Sequence, residues 1–109
     1  MTIFIISKNG DVDLYKSVDE AERSMESPDI ESGEYKGAFD ELGNVFDIGT
    51  AGTRKKLFGL IPSAGILKPT GKNAASELHE ILSRKYMNKL AGESPTLQEL
   101  VKIAVWDAQ

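Results

Sequence analysis

The chain has 109 residues, 40% of them apolar and 28% charged, with a formal net charge of −4 and a mean hydropathy of −0.27. That length fits one domain, 1–109, able to bury a core of its own. There is no cysteine and no apolar run longer than that of Ile3–Ile6, which excludes disulfides, thiolate nucleophiles, Cys-ligated zinc and a membrane-spanning helix.

The first element reads as a β-hairpin. Ile3, Phe4, Ile5 and Ile6 are β-branched or aromatic, and Asn9-Gly10 predicts a two-residue type I′ turn between Lys8 and Asp11. That turn sets Ile5 opposite Leu14 and Phe4 opposite Tyr15. One face then carries Ile3, Ile5, Val12 and Leu14, and the other Phe4, Ile6, Asp13 and Tyr15. With apolar residues on both faces, the first strand belongs inside the sheet.

Ser17 with Glu20 three residues on predicts a helix N-terminus with a capping box. Val18, Ala21 and Met25 fall on its sheet-facing side, Glu22, Arg23 and Glu26 on the water side, and Pro28 closes it. Tyr35, Gly37 and Phe39 then alternate with polar or small residues. Asp40-Glu41-Leu42-Gly43 predicts a type I turn, and Val45, Phe46 and Ile48 form the returning strand. Glycines and prolines punctuate 49–72. There Leu57, Phe58, Leu60 and Ile61 suggest one short strand or buried loop, and Ile66-Leu67 another.

Leu78, Ile81, Leu82, Tyr86, Met87 and Leu90 make an apolar stripe from Asn73 to Ala91. Gly92 is the expected C-cap. Ser94 and Pro95 are the expected N-cap and first residue of a second helix, whose inner face is Leu97, Leu100, Val101, Ala104 and Val105. The short link predicts an antiparallel pair. Trp106 is expected in the core. The chain is therefore expected to be α+β: an antiparallel sheet of four to six strands with one helix packed on it, followed by a C-terminal helical pair.

Chemistry-bearing motifs are sparse. His79 is the single histidine and reads as an exposed helical residue. Ser63 and Ser83 lack a nucleophile-elbow context. The glycine-rich stretch Gly49–Lys56 and Gly71-Lys72-Asn73 lack the Gly-Lys-Ser/Thr ending of a phosphate loop. Asp11-Val12-Asp13 lacks the downstream ligands of a calcium loop. No enzyme, metal or cofactor is expected.

Charge carries more information. Residues 1–53 hold four cations against twelve carboxylates, a net −8, whereas 54–109 hold nine against five, a net +4. A carboxylate-rich face repels nucleic acid and steers a basic protein into contact.

The stretch Gly10–Glu22, then Glu26, Asp29-Ile30, Gly33-Glu34-Tyr35 and Phe39-Asp40-Glu41-Leu42-Gly43, resembles small bacterial immunity proteins of polymorphic and contact-dependent growth-inhibition toxin systems. The resemblance covers about residues 1–50 and implies a cytoplasmic protein that binds and blocks a cognate toxin domain, in many cases a nuclease. Asp19, Glu22, Glu26, Asp29, Glu31, Glu34, Asp40 and Glu41 are the expected contacts to that toxin's Arg and Lys, with Tyr35 or Trp106 as an aromatic anchor. No membrane or nucleic-acid partner is expected. Two other classes fit the residues: a nucleic-acid- or nucleotide-binding protein using Arg54, Lys55 and Lys56 beside Phe58, and an adaptor for a protein that is not a toxin.

Overall fold

The computed structural model describes residues 1–50, 65–86 and 95–108. Strands β1 (Ile3–Ser7) and β2 (Val12–Tyr15) form the expected antiparallel hairpin, but one residue out of the expected register. Ile3 faces Tyr15, Phe4 faces Leu14, Ile5 faces Asp13 and Ile6 faces Val12. The turn is the cause. Ser7 N–H donates to Asp11 O (2.9 Å) and Gly10 N–H to Ser7 O (3.0 Å). Gly10 has a φ of 93°, and no non-glycine residue among those described has a positive φ. A type I′ turn needs positive φ at both central residues, so Asn9 cannot be in one. The loop is instead a three-residue connection with Gly10 in the left-handed position. The slip regroups the side chains: Phe4 and Ile6 join Val12 and Leu14, while Ile3 and Ile5 join Asp13 and Tyr15.

The sheet is antiparallel throughout, in the order β2-β1-β3-β4-β5, with β3 at Tyr35–Asp40, β4 at Asn44–Thr50 and β5 at Gly65–Asn73. β1 lies inside it, as its two apolar faces predict. The Asp40–Gly43 turn also forms as expected. Gly43 N–H donates to Asp40 O, and Gly43 has a φ of 85°. Ile66 and Leu67 belong to β5, a much longer strand than two apolar residues suggested. Pro69 is tolerated there because β5 is an edge. The other expected strand, around Leu57, Phe58, Leu60 and Ile61, lies outside the described residues.

Two short helices cover the Ile3/Ile5 face. α1 (Val18–Ser24) starts at Ser17, whose Oγ accepts from Glu20 N–H at 3.1 Å. Pro28 does not close that helix: α1 ends at Ser24, and Pro28 sits in the first turn of a second helix, α2 (Ser27–Glu31). A proline loses nothing there, since the N–H it lacks has no helical acceptor. Ala21 and Met25 pack with Ile3, Ile5, Ala38 and Leu67. The end of α1 reaches the far edge of the sheet, where Gly65 N–H donates to Met25 O (3.0 Å) and Leu67 N–H to Glu22 Oε2 (2.7 Å). The helix therefore covers the backbone donors that β5 would otherwise expose.

The opposite face packs on α3 (Ala75–Tyr86) and α4 (Leu97–Asp107). Phe4, Leu78, Leu82 and Leu100 are fully buried there, each contributing about 1.5–3 kcal/mol by leaving water. Asn73 stays in β5, and its Oδ1 accepts from Ala75 N–H, so the helix begins at Ala75. Met87, Leu90, Gly92 and Ser94 lie outside the described residues. α4 is capped by Thr96 rather than Ser94: Thr96 Oγ1 accepts from Glu99 N–H, and the Glu99 carboxylate accepts from Thr96 N–H. Pro95 thus precedes the cap. It also meets His79 in the first half of α3, at 2.7 Å between Nε2 and Pro95 O. The start of α4 therefore lies beside the first half of α3, not beside its end as an antiparallel hairpin of helices requires. A carbonyl only accepts, so Nε2 carries the proton. His79 is a half-buried tie between helices, not an exposed helical residue.

Trp106 is not in the core; it is 73% exposed. The buried stripe of α4 is Leu100, Val101 and Ala104. Two residues beyond Ala104 is a rotation of about 200° around a helix, which turns Trp106 to water.

Candidate protein-binding surface

Several of the carboxylates expected at a partner interface are consumed by the fold. Asp40 is 5% exposed. Its Oδ1 accepts from Leu42 N–H (2.9 Å) and Asn44 N–H (3.0 Å), and its Oδ2 from Asn44 Nδ2 (2.9 Å). It holds the β3–β4 turn and is removed from the candidate surface. Glu41 is half-buried, and its Oε1 accepts from Thr2 N–H at 2.8 Å, fixing the start of β1. Glu22 is half-buried at the β5 edge, as described above, not on the water side of α1. Its side chain accepts from the Leu67 N–H, next to the Gly65 N–H that Met25 O takes.

Two more are ion-paired on the surface. Asp19 meets Arg23 one helical turn on, at 2.9 Å, and Glu34 meets Lys8 at 3.2 Å. Such exposed pairs hold the side chains weakly, at about 0–1 kcal/mol, so they can be exchanged for a partner's cations. Glu31 is exposed at the end of α2.

Glu26 and Asp29 form the centre. Glu26 is the N-cap of α2 through its backbone and makes no side-chain capping bond. Asp29 lies in the first turn of α2. Both are exposed and both act on Tyr35, a half-buried residue at the start of β3. The Tyr35 hydroxyl is held above its ordinary pKa, first by burial, then by the negative charge of Asp29, with Tyr15, Asp13 and Glu26 adding to it. Every group acting on it pushes the same way. Asp13 belongs to this group although its charge alone did not single it out. The register decides it: opposite Ile5, Asp13 shares the face of Tyr15 and Tyr35, and the sequence signal was Gly10 as the left-handed residue of a longer turn.

A surface with a negative field from several exposed carboxylates suits a guanidinium or ammonium group. Among the described residues, no group of three or more His, Cys, Asp or Glu side chains is placed to hold a metal ion. No described helix is long and apolar enough to cross a membrane. Arg54, Lys55 and Lys56 lie outside the described residues. No family model, curated protein or solved structure was found to match the chain.

Proposed function

We propose that this protein is a stoichiometric inhibitor of the immunity class, acting in the cytoplasm, which captures a basic toxin domain and blocks it. The observation that carries this reading is that the exposed carboxylates Asp13, Glu26 and Asp29, on β2, at the α2 cap and in α2, all contribute to one negative field, felt at the Tyr35 hydroxyl. A basic groove that binds phosphate is complementary to such a surface, and filling it excludes nucleic acid. Glu31, Asp19 and Glu34 widen the acidic field around this centre. The acids that hold the fold, Asp40, Glu41 and Glu22, play no direct part in contact.

The test is co-expression with a candidate toxin domain taken from a neighbouring gene, together with binding in solution. The unmutated protein is expected to rescue growth. Glu26→Lys with Asp29→Lys is expected to lose rescue and to weaken binding by about 100-fold or more, as loss of two close charge pairs implies. Intact rescue and affinity in that variant would refute the acidic-surface reading, and absence of rescue by the unmutated protein would refute the immunity assignment.

A further inference from the structure

The outer edge of β2 is the best-defined backbone docking site among the described residues. The Ser7–Asp11 bond fixes which way each amide points. Bonded pairs alternate along an antiparallel ladder, so Ile5–Asp13 and Ile3–Tyr15 bond to each other, as Ser7–Asp11 does. Val12 and Leu14 therefore direct their N–H and C=O groups away from β1. Phe4 and Ile6, their opposites on β1, turn theirs to β3, where they face Phe39 and Gly37. The sheet order ends at β2. The two edges differ: at β5, α1 takes the outward amides of Gly65 and Leu67, and Pro69 has none. No corresponding bond is made to Val12 or Leu14 among the described residues.

Beside this edge lies a slot of about 270 Å³, lined by Leu14, Tyr15, Lys16 and Glu20 on one side and by Val105 of α4 and its C-cap Ala108 on the other. Asp11 and Asp13 are exposed at the edge. We infer that an extended, basic segment of the partner adds to β2 as a sixth strand. Its backbone pairs with Val12 and Leu14, an apolar side chain enters the slot, and its Lys or Arg residues meet Asp11 and Asp13. Strand addition takes affinity from the main chain and specificity from alternate side chains. A second copy of this chain is the poorer occupant, because antiparallel β2–β2 pairing sets Asp13 against the other copy's Asp11 or Asp13. The inference rests on the proposed capture of a basic partner and specifies how that partner's backbone docks.

The probe is a synthetic peptide of alternating lysine and valine, about eight residues long, the length of an ordinary strand. Titrated into the isotope-labelled protein, it is expected to shift the amide signals of Val12 and Leu14 and slow their hydrogen exchange about tenfold or more. Leu14→Pro removes an outward donor and none that bonds β1, so it is expected to weaken binding about tenfold with far-ultraviolet circular dichroism unchanged. Asp13→Lys, at an exposed position, is expected to weaken it without touching the backbone. Binding with no change at Val12 and Leu14, no binding at all, equal binding of a glutamate–valine peptide, or protection that rises with protein concentration in the absence of peptide would overturn the inference. If Leu14→Pro leaves toxin capture intact while Glu26→Lys with Asp29→Lys abolishes it, the strand mode fails and the functional reading stands. If the peptide docks on β2 but no toxin domain is captured, the reverse holds.

Discussion

At the scale of single residues, Asp40 shows how a surface-looking acid becomes structural. An Asp that opens a type I turn is legible in the sequence, since its side chain caps the amides two and four residues on. What the sequence does not carry is that the folded turn leaves the carboxylate almost fully buried. Asp40→Ala leaves Leu42 and Asn44 without their acceptor. It is expected to cost about 2–3 kcal/mol, read as a lower urea midpoint with an unchanged slope, and to leave any partner affinity unaltered. Glycines separate in the same way. A Cβ on Gly43 would sit 2.4 Å from Ala75 Cα, whereas one on Gly10 would meet nothing within 4 Å. Gly10→Ala therefore bears only the left-handed backbone penalty, about 1–2 kcal/mol. Gly43→Ala bears that and the displacement of α3, and is expected to be clearly the less stable of the two by thermal melting. Trp106 has the opposite character: at 73% exposure, Trp106→Ala is expected to change stability by less than about 0.5 kcal/mol. As the one tryptophan, it is also a weak fluorescence reporter of unfolding, so circular dichroism is the better signal.

At the scale of elements, helical period was the most legible signal and strand register the least. Leu78, Leu82 and Leu100 announce their buried faces through spacing alone. The β1–β2 register turns on whether Asn9-Gly10 adopts a two-residue or a three-residue loop, and both loops use glycine. The seam between α1 and β5 is invisible in sequence because it joins Glu22 to an amide 45 residues away. Glu22→Ala is expected to leave the Leu67 amide unsatisfied, cost about 1–2 kcal/mol, and speed exchange of that amide more than those of β1. The α4 cap gives a pH-dependent counterpart. Hydrogen bonding from Thr96, backbone first, holds the Glu99 carboxyl below its ordinary pKa, and Lys102 assists. A carboxyl depressed in the folded state adds stability at neutral pH and loses it as pH falls through the folded value. The stability gap between the unmutated protein and Glu99→Ala is therefore expected at neutral pH and should close in acid. A gap that persists unchanged in strong acid would show that the cap acts by packing rather than by charge.

At the scale of the whole molecule, the division into −8 and +4 was legible from the first count, but the destination of the acids was not. A list of carboxylates cannot tell Asp40, folded into a turn, from Asp29, exposed in α2; only topology lets the charges of Asp13, Glu26 and Asp29 act together on Tyr35. This distinction makes the salt dependence of capture informative. Charges that face solvent act over roughly a Debye length, about 10 Å at 0.1 M salt, and chiefly raise the association rate. Charges already satisfied by the fold contribute little to steering. Association of the unmutated protein with a basic toxin domain is therefore expected to slow steeply as salt rises. Replacing Asp13, Glu26 and Asp29 by their amides should flatten that slope, with a smaller change in dissociation rate. The same substitutions remove the charges that raise the Tyr35 hydroxyl pKa, so its titration, followed by NMR of the labelled ring, should move back toward the ordinary tyrosine value. Both changes arise from one cluster and should appear together. A flattened salt slope with an unmoved Tyr35 would mean that the steering charges lie elsewhere on the acidic half. A moved Tyr35 with an unchanged slope would mean that the cluster is not where the partner arrives.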